Sequence, residues 1–245
     1  MSETFIHLNE THSTNSYLRE LIMREKEQPE GTVVITDYQT AGRGQKGNSW
    51  ESERGKNLTF SILLHPNHIP PGKQFILSQL ISIAIVKVLK KYDRYFSIKW
   101  PNDIYWKEKK IAGILIEVDL TGSSLSNAII GIGININQKY FKSDAPNPVS
   151  LAQITGKEHD LPELLEKILD SITDEYNTYS PDNEEKIKQK YMEFLFRNRG
   201  LHPYLSGKEF FNASIEGIEP NGQLILKKEN GSIHTFAFKE ISFVI

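Results

Sequence analysis

Hydrophobic residues recur along four segments of the chain at the spacing of helices. In the first segment, Leu18, Leu21 and Ile22 lie about one helical turn apart. Ser13 and Thr14 precede them, and hydroxyl side chains favour helix starts. The second segment is mostly apolar, which is typical of a buried helix. The predicted helices span residues 14–26, 73–92, 161–179 and 183–198.

β-branched and alternating segments predict strands between these helices. They span residues 32–36, 57–64, 96–100, 111–120 and 127–137. The last two are separated only by Thr121, Gly122 and Ser123, which predicts a hairpin with antiparallel pairing. Helices and strands do not follow strict βαβ units. We therefore expect an α+β fold, a mixed sheet flanked by helices.

The pattern changes after Gly200. Short alternating runs cover residues 213–218, 224–227, 234–238 and 241–245, separated by the turn sequences Pro220-Asn221-Gly222 and Asn230-Gly231. This predicts a large domain over residues 1–199 and a small C-terminal β domain over residues 200–245. Because so small a unit has little core of its own, we expect it to pack on the main domain.

Composition excludes several classes of protein. The 245 residues include 29 basic and 31 acidic side chains, a net charge of −2, which disfavours nucleic-acid binding through the whole surface. There is no cysteine, so disulfides, thiolate zinc sites and cysteine nucleophiles are excluded.

Targeting segments are also not expected. The first nine residues lack the pattern of a signal peptide. The most apolar run, residues 75–89, is interrupted by Ser78, Gln79, Ser82 and Lys87, which argues against a membrane span. The expected location is the cytoplasm.

Residues 39–50 form a glycine-rich loop between two predicted strands. Gly42, Gly44 and Gly47 match the dinucleotide pattern GxGxxG, but that pattern must open a helix, and here a strand follows. A P-loop is excluded because Asn48 stands where the phosphate-binding lysine is required. Two interpretations remain open, a surface hairpin and an anion cradle.

The charges of this loop favour the cradle. Arg43 and Lys46 place cations among backbone N–H groups that are free of bulky side chains. Trp50 offers a flat face for stacking on an adenine, although a core tryptophan is an equal alternative for this residue alone.

Three further segments carry candidate chemistry. Residues 99–103 (Lys-Trp-Pro-Asn-Asp) end a strand, so Asn102 and Asp103 are expected to project into a loop. Residues 110–117 begin with Lys110 and place Gly113 inside a strand, where something approaches the backbone closely. Residues 131–137 alternate glycine with isoleucine, which leaves room for a flat ligand or for a closely packed helix.

Together these segments resemble the biotin protein ligases. The family pattern has a Ser-Thr-Asn segment (residues 13–15), Gln-x-x-Gly-Arg-Gly (39–44), Lys-Trp-Pro-Asn-Asp (99–103), Lys-x-x-Gly-x-Leu-x-Glu (110–117) and Gly-Ile-Gly-x-Asn-x-Asn (131–137). The order and approximate spacing agree over essentially the whole chain. The resemblance implies a mixed sheet like that of the class II synthetases and the biotin–lipoate ligases, followed by a small C-terminal β-barrel.

The resemblance also implies a two-step reaction. ATP and biotin would give biotinyl-5′-AMP and pyrophosphate, after which a lysine of a biotin carboxyl carrier domain takes the biotin. The implied catalytic residues are Arg43 and Lys110. The implied biotin-binding residues are Ser13, Thr14, Asn15, Gln39, Gly42, Arg43, Gly44, Gln45, Lys110 and Gly113. The implied ATP- and adenylate-binding residues are Arg43, Lys46, Trp50, Lys99, Asn102, Asp103 and Asn135. Mg²⁺ would be held mainly by phosphates, with Asp103 as a candidate ligand.

The loop departs from the family pattern at two positions. Gln45 and Asn48 replace arginines, and a neutral amide does not provide a charge-assisted fork. We therefore expect faster escape of the adenylate, unless Lys46 takes over.

Some alternatives stay open at this point. A lipoate ligase or octanoyltransferase shares the implied fold, but its usual Arg-Arg-x-x-Gly-Gly-Gly segment is not matched by residues 42–50. A phosphate- or nucleic-acid-binding module is the alternative from a different class.

The ligase motifs begin at Ser13, which implies the ligase-only class with no DNA as partner. Both a monomer and a homodimer formed through a sheet edge are compatible with the sequence.

Overall fold

The computed structural model describes residues 4–24, 28–45, 47–122, 124–142 and 147–245. The helices are α1 (Thr14–Arg24), α2 (Phe75–Leu89), α3 (Leu151–Thr155), α4 (Leu161–Asn177) and α5 (Glu184–Phe194). The strands of the first part are β1 (Phe5–Leu8), β2 (Val33–Thr36), β3 (Leu58–Leu64), β4 (Phe96–Lys99), β5 (Asp103–Trp106), β6 (Lys109–Thr121) and β7 (Ser124–Ile134). The strands of the last part are β8 (His202–Ser206), β9 (Glu209–Ile218), β10 (Leu224–Lys228), β11 (Ile233–Phe236) and β12 (Ser242–Phe243).

The first seven strands form one sheet in the order β1-β2-β3-β7-β6-β5-β4. Strands β1 and β2 pair in parallel, and the other neighbours pair antiparallel, including the predicted β6–β7 hairpin. The predicted mixed sheet is therefore confirmed. Strand β3 lies inside it, and every residue from Leu58 to Leu64 is buried, in agreement with its almost continuous apolar sequence.

Helices cover both faces of this sheet. Helix α2 is buried along almost all of its length and packs against α4, α5 and the sheet in the main core. On the opposite face, Leu18 of α1 packs with Val34, Leu63 and Ile129 in a smaller cluster. The N-terminus of α1 thereby lies against β3 and β7, where Thr14 and Asn15 contact Ser61 in the middle of β3 and Asn15 lies against Gly131 of β7.

The apolar segment that contains α2 corrects one sequence argument. Despite its polar interruptions, residues 71–89 are long and apolar enough to cross a membrane by length and composition alone. Most of this segment is buried inside the fold. Its apolar character is accounted for by the core that it fills.

Strands β8–β12 form a second, antiparallel sheet in the order β11-β10-β9-β8-β12. This sheet packs on the first part of the chain, as expected. The Trp100 indole Nε1–H donates a hydrogen bond of 2.8 Å to the carbonyl of Gly222, and the Trp100 and Phe238 rings meet edge to face at 6.2 Å. Apolar residues of both parts belong to one continuous core. The domain boundary between residues 199 and 200 stays a prediction.

Several short elements were not predicted. Strand β1 is four residues long with exposed and half-buried positions, so its sequence lacks a clear apolar period. Strand β8 contains Pro203, which is normally evidence against a strand, but β8 lies near the edge of its sheet beside the two-residue strand β12. Asp103 does not lie in a loop; it begins strand β5, which pairs with β4 and β6.

Candidate functional site

One cavity lies between the glycine-rich loop, the start of α1, the turn from β4 to β5, and strands β6 and β7. Among the described residues, all of the site residues inferred from the sequence line it, except Gly42 and Asn135. The lining residues from that set are Ser13, Thr14, Asn15, Gln39, Arg43, Gly44, Gln45, Trp50, Lys99, Asn102, Asp103, Lys110 and Gly113. Segments up to a hundred residues apart in sequence thus converge on one space.

The end of the cavity beside α1 is lined by uncharged polar groups. The Gln39 Oε1 atom accepts a hydrogen bond of 2.8 Å from the Thr14 backbone N–H and lies 3.3 Å from the Thr14 hydroxyl. The Ser61 hydroxyl of β3 lies 2.7 Å from the Thr14 hydroxyl. Ser13 and Thr14 are both buried. Fixed donors and acceptors of this kind suit a neutral polar ligand group.

Asn15 connects this polar end to the central strands. Its Oδ1 atom accepts a hydrogen bond of 2.6 Å from Ser61, and its Nδ2 donates one of 2.8 Å to Glu117 Oε2. The Asn15 amide fills the space where a β-carbon on Gly131 would stand, 2.3 Å from Oδ1. Gly131 is required here because any larger residue would collide with this amide.

Glu117 also anchors the loop. Arg43 donates a hydrogen bond of 3.2 Å to the Glu117 Oε2 atom, the same oxygen that Asn15 contacts. The Arg43 side chain is 45% exposed, so the contribution of this ion pair to stability is small. The pair nevertheless orients the guanidinium across the cavity.

The glycine-rich loop folds back on itself as a tight hairpin. The Trp50 N–H donates to the Gly42 carbonyl at 2.9 Å, and the Gly44 N–H donates to the Asn48 carbonyl at 3.0 Å. Arg43 and Ser49 lie opposite one another as an isolated antiparallel bridge. This arrangement points Arg43 and Trp50 toward the sheet.

The Trp50 ring covers the glycine positions of β6 and β7. A β-carbon built on Gly133 would lie 2.3 Å from Trp50 Cε2, and one on Gly113 would lie 3.2 Å from Trp50 Cζ3. The space that the sequence predicted beside the glycines therefore holds this indole. Among the described residues, the Trp50 Nε1–H is buried and has no hydrogen-bond partner. Buried donors of this kind usually find a partner, which a bound ligand or a moved loop would provide.

Two lysines and one carboxylate lie at the other end of the cavity. Lys110 and Asp103, on the paired strands β6 and β5, form an ion pair of 2.7 Å, and the Lys110 ammonium lies 5.8 Å from the Trp50 ring centroid. Lys99 lies between the rings of Tyr105 and Phe243, at 5.0 and 5.2 Å. This end has the charge that an anionic ligand requires.

The pKa of Lys99 is lowered from its ordinary value. Burial is the largest cause, and the nearby charges of Lys110 and Arg197 lower the pKa further, while Asp103 opposes them. A bound anion would favour the charged ammonium and so reverse part of this shift. The charged form of Lys99 is therefore disfavoured in the protein without ligand. A bound phosphate would stabilise it.

Two of the inferred residues that the structure describes lie outside the lining. Gly42 lies in the base of the loop hairpin, where its carbonyl accepts from Trp50. Asn135 is buried, and its Nδ2 donates to the Val149 carbonyl at 3.3 Å, so its side chain supports the segment before α3. Lys46 lies outside the described residues.

The sequence analysis missed Phe238, which lines the cavity from the C-terminal sheet. It also missed Thr59 of β3, another lining residue. No local pattern marks either residue, because Phe238 reaches the cavity only through the packing of two sheets against one another. Alternation along residues 234–238 indicated a strand but not what it faces.

The residues present fit a magnesium ion that is bound mainly by phosphates. Within the described part of the chain, no group of three or more histidine or acidic residues could hold a metal. Asp103 is the only carboxylate among the described residues of the lining. Magnesium in nucleotide sites is commonly held by one or two carboxylates together with the phosphates.

The cavity has a volume of about 130 Å³. Typical small-molecule sites measure roughly 300–1,000 Å³. A second cavity of about 330 Å³ adjoins it and shares the lining residues Gln45, Trp100, Asn102 and Phe238.

Comparison with known proteins points to one group. Residues 8–135 match the model of the biotin/lipoate A/B protein ligase family. The chain is 32% identical over 243 residues to the bifunctional ligase/repressor BirA of Bacillus spizizenii, covering 94% of this chain and 71% of that protein. It is 30% identical over 233 residues to BirA of Escherichia coli, with the same coverage of both chains.

Solved structures agree with the sequence comparison. The structure resembles a biotin protein ligase from Aquifex aeolicus in complex with biotin and ATP, with a TM-score of 0.79, 29% sequence identity and 98% coverage of each chain. The match extends over both sheets, because almost the entire chain is covered.

Proposed function

Because the chain belongs to the biotin/lipoate A/B protein ligase family, we propose that it is an ATP-dependent biotin protein ligase. It activates biotin as biotinyl-5′-AMP and transfers the acyl group to a lysine, forming a C–N bond. The observation that carries this proposal is the convergence of fixed polar groups and cations on one cavity. Biotin combines the same two features, a neutral ureido ring and a carboxylate.

The polar end of the cavity suits the biotin ring. Gln39, Thr14 and Ser13 lie there; Gln39 is held by the Thr14 N–H, and the Thr14 hydroxyl contacts Ser61. We assign hydrogen bonds to the ureido group to these residues. We assign a positioning role to Asn15, because its amide is hydrogen-bonded to Ser61 and Glu117 and fills the space above Gly131.

The cationic end of the cavity suits the two groups that react, the biotin carboxylate and the α-phosphate of ATP. In the first step the biotin carboxylate attacks the α-phosphorus of ATP, the P–O bond to the β-phosphate breaks, and pyrophosphate leaves. Two anions must be held together against their repulsion, which requires positive charge and positioning rather than a protein nucleophile. Arg43 and Lys110 are the groups that supply this charge at the carboxylate and α-phosphate.

Lys99, Asn102 and Asp103 are assigned to the phosphate side of the nucleotide. Asp103 is the residue that would hold Mg²⁺, which neutralises phosphate charge when it is bound. The Lys110–Asp103 pair of 2.7 Å keeps the ammonium and the carboxylate next to one another. Trp50 is assigned to the adenine side, where stacking would use its flat face.

In the second step the amine of the acceptor lysine attacks the acyl carbon, and AMP leaves with the electron pair of the broken C–O bond. Because the anhydride hydrolyses if water reaches it, the glycine-rich loop must cover it until the amine arrives. The acceptor that we propose is a biotin carboxyl carrier domain of a biotin-dependent carboxylase. We further propose a cytoplasmic location, consistent with that partner.

The proposal is tested by biotin-dependent exchange of labelled pyrophosphate into ATP. This reaction reports the first step and does not require the carrier. Exchange that depends on biotin and not on lipoate or octanoate is the expected result. Exchange with lipoate instead would assign the chain to the lipoate branch of the family, and no exchange with any acid would overturn the assignment.

Two finer questions are settled by binding measurements. From its net charge of −2 we expect no salt-dependent retention on DNA. Retention without biotin-dependent exchange would favour a nucleic-acid-binding module. Sedimentation of the full chain with and without biotin and ATP distinguishes a monomer from a homodimer formed through a sheet edge.

A further inference from the structure

A chain of four polar side chains leads from a partly exposed carboxylate to the cavity. The Glu117 side chain at its outer end is 29% exposed, and Asn15, Ser61 and Thr14 follow, all buried. Asn15 Nδ2 lies 2.8 Å from Glu117 Oε2, the Ser61 hydroxyl lies 2.6 Å from Asn15 Oδ1, and the Ser61 and Thr14 hydroxyls are 2.7 Å apart. Thr14 lines the cavity, whereas Ser61 is not among its described lining residues.

The outer end of this chain determines how the Asn15 amide is oriented. Glu117 Oε2 already accepts a hydrogen bond from Arg43, so it is an acceptor toward Asn15 as well. The Leu115 carbonyl, 3.5 Å from the same Nδ2 atom, is also only an acceptor. Both neighbours require the donating end of the amide. The Asn15 Oδ1 atom therefore faces Ser61.

This orientation also determines which hydroxyl donates to which. A hydroxyl has one proton, and Ser61 must donate its own to Asn15 Oδ1, which has none. The proton between the Ser61 and Thr14 oxygens must then come from Thr14. The Thr14 oxygen is left with lone pairs only, so it can accept a hydrogen bond from a ligand but has no proton to donate to one.

We propose that Ser61 is a specificity-determining residue, which holds the Thr14 hydroxyl as an acceptor and thereby selects ligands that present an N–H at the polar end of the cavity. This inference deepens the proposed function and rests on it, because the N–H groups concerned are those of the biotin ureido ring. A dithiolane ring or an alkyl chain has no N–H and would leave the Thr14 oxygen buried without a partner. Sites built to bind an N–H reject analogues that lack it for this reason.

The test measures the Kd, without nucleotide, of biotin and of two analogues in which one or the other ureido N–H is replaced by CH₂. The wild type is expected to bind one analogue at least about tenfold more weakly than biotin. In Ser61→Ala this ratio is expected to be about threefold smaller or less, because the Thr14 proton is no longer committed to Ser61. Thr14→Val is expected to abolish the discrimination. The double variant Ser61→Ala/Thr14→Val should match Thr14→Val, since Ser61 acts through Thr14.

The matched control is Ser82→Ala. Ser82 is as fully buried as Ser61, but it lies in α2, the helix that fills the main core. We expect the wild-type ratio of Kd values in this variant.

A second pair of variants tests the outer end of the chain, at a side chain that is partly exposed. Glu117→Gln keeps an acceptor for the Asn15 amide, whereas Glu117→Met has a similar length and no acceptor. Glu117→Gln is expected to retain a larger ratio of Kd values than Glu117→Met. These two variants decide the question should Ser61→Ala not fold.

Three results would overturn the inference. The first is a wild type that binds biotin and both analogues equally. The second is an unchanged ratio in Ser61→Ala, which would indicate a structural role even if all three ligands bind more weakly. The third is an equal ratio in the two Glu117 variants. The proposed function is judged separately by pyrophosphate exchange, so an active wild type with any of these results rejects only the inference.

Discussion

The Trp50 indole lies directly on the α-carbon of Gly133. A β-carbon at this position would come within 2.3 Å of Cε2 and 2.5 Å of Nε1. We therefore predict that Gly133→Ala displaces the ring and slows biotin-dependent pyrophosphate exchange at least tenfold, since small misplacements of positioning groups are costly to rate. Tryptophan fluorescence should change in the same variant.

The control for Gly133→Ala is Gly217→Ala in strand β9. Its new β-carbon would meet Ile225 at 3.6 Å, an ordinary contact, far from Trp50 in sequence and sheet. We expect normal exchange in this control. Normal exchange in Gly133→Ala as well would show that the ring position has no bearing on the reaction.

A second prediction concerns Lys110. Lys110→Ala removes the ammonium that lies 2.7 Å from Asp103 in the cavity, and we expect pyrophosphate exchange to fall by about 10²-fold or more, as for the loss of one charge-stabilising group. The neighbouring Lys109 is exposed and points to the other face of β6. Lys109→Ala should therefore keep wild-type activity, and equal losses in the two variants would contradict the assigned role of Lys110.

A third prediction follows from the amide at position 45. Gln45 lines the cavity within the glycine-rich loop, and an arginine there would add a charged fork facing the ligand. Gln45→Arg is expected to slow the release of labelled biotinyl-5′-AMP several-fold, measured by rapid filtration. Gln45→Met has a similar length without the charge and should not slow the release; the hypothesis is rejected if both variants release the adenylate at the wild-type rate.

A fourth prediction concerns the pH dependence of stability through His159. Burial lowers the pKa of His159 below its ordinary value, and the charge of Lys157 adds to this effect. Its ring lies 2.7 Å from the Thr155 hydroxyl and contacts Tyr92 edge to face. The folded protein therefore holds the neutral ring, while the unfolded chain takes up a proton as the pH falls below about 6.5.

The sign follows from this difference in proton uptake. The contribution of His159 to the free energy of unfolding is fully present above pH 6.5 and declines as the pH falls toward the lowered pKa of the folded state. We expect the melting-temperature difference between the wild type and His159→Gln to shrink from pH 7.5 to pH 5.5. A constant difference across this range would show that the folded state protonates as readily as the unfolded chain.

Sequence patterns predicted the central sheet because its strands are apolar over many residues. Strand β3 is buried at every position and α2 at almost every position, so both were recognisable without tertiary information. Strand β1 was missed because it is short and half exposed, and its stability depends on parallel pairing with β2. Such pairing is a property of the folded sheet rather than of the local sequence.

The residues of the candidate site were likewise predicted where they lie in one contiguous segment and missed where they depend on tertiary packing. Contiguous segments such as residues 99–103 predicted Lys99, Asn102 and Asp103 together, and the structure brings all three to one cavity. Phe238 was not predicted, because it reaches the cavity through the packing of the second sheet. The interpretation of Trp50 as an adenine-stacking residue stays a prediction, since its ring covers the glycine floor in the described conformation.

The hydrogen bond from Trp100 to Gly222 joins the wall of the cavity to a turn more than a hundred residues further along the chain. A chimera that exchanges residues 200–245 with those of a relative must therefore preserve the backbone course of that turn. Otherwise the buried indole N–H of Trp100 is left without an acceptor. The neighbouring residues Pro101 and Asn102 are then no longer held in place by this hydrogen bond. Grafting experiments on this protein therefore have to treat residues 200–245 as part of the unit that forms the cavity.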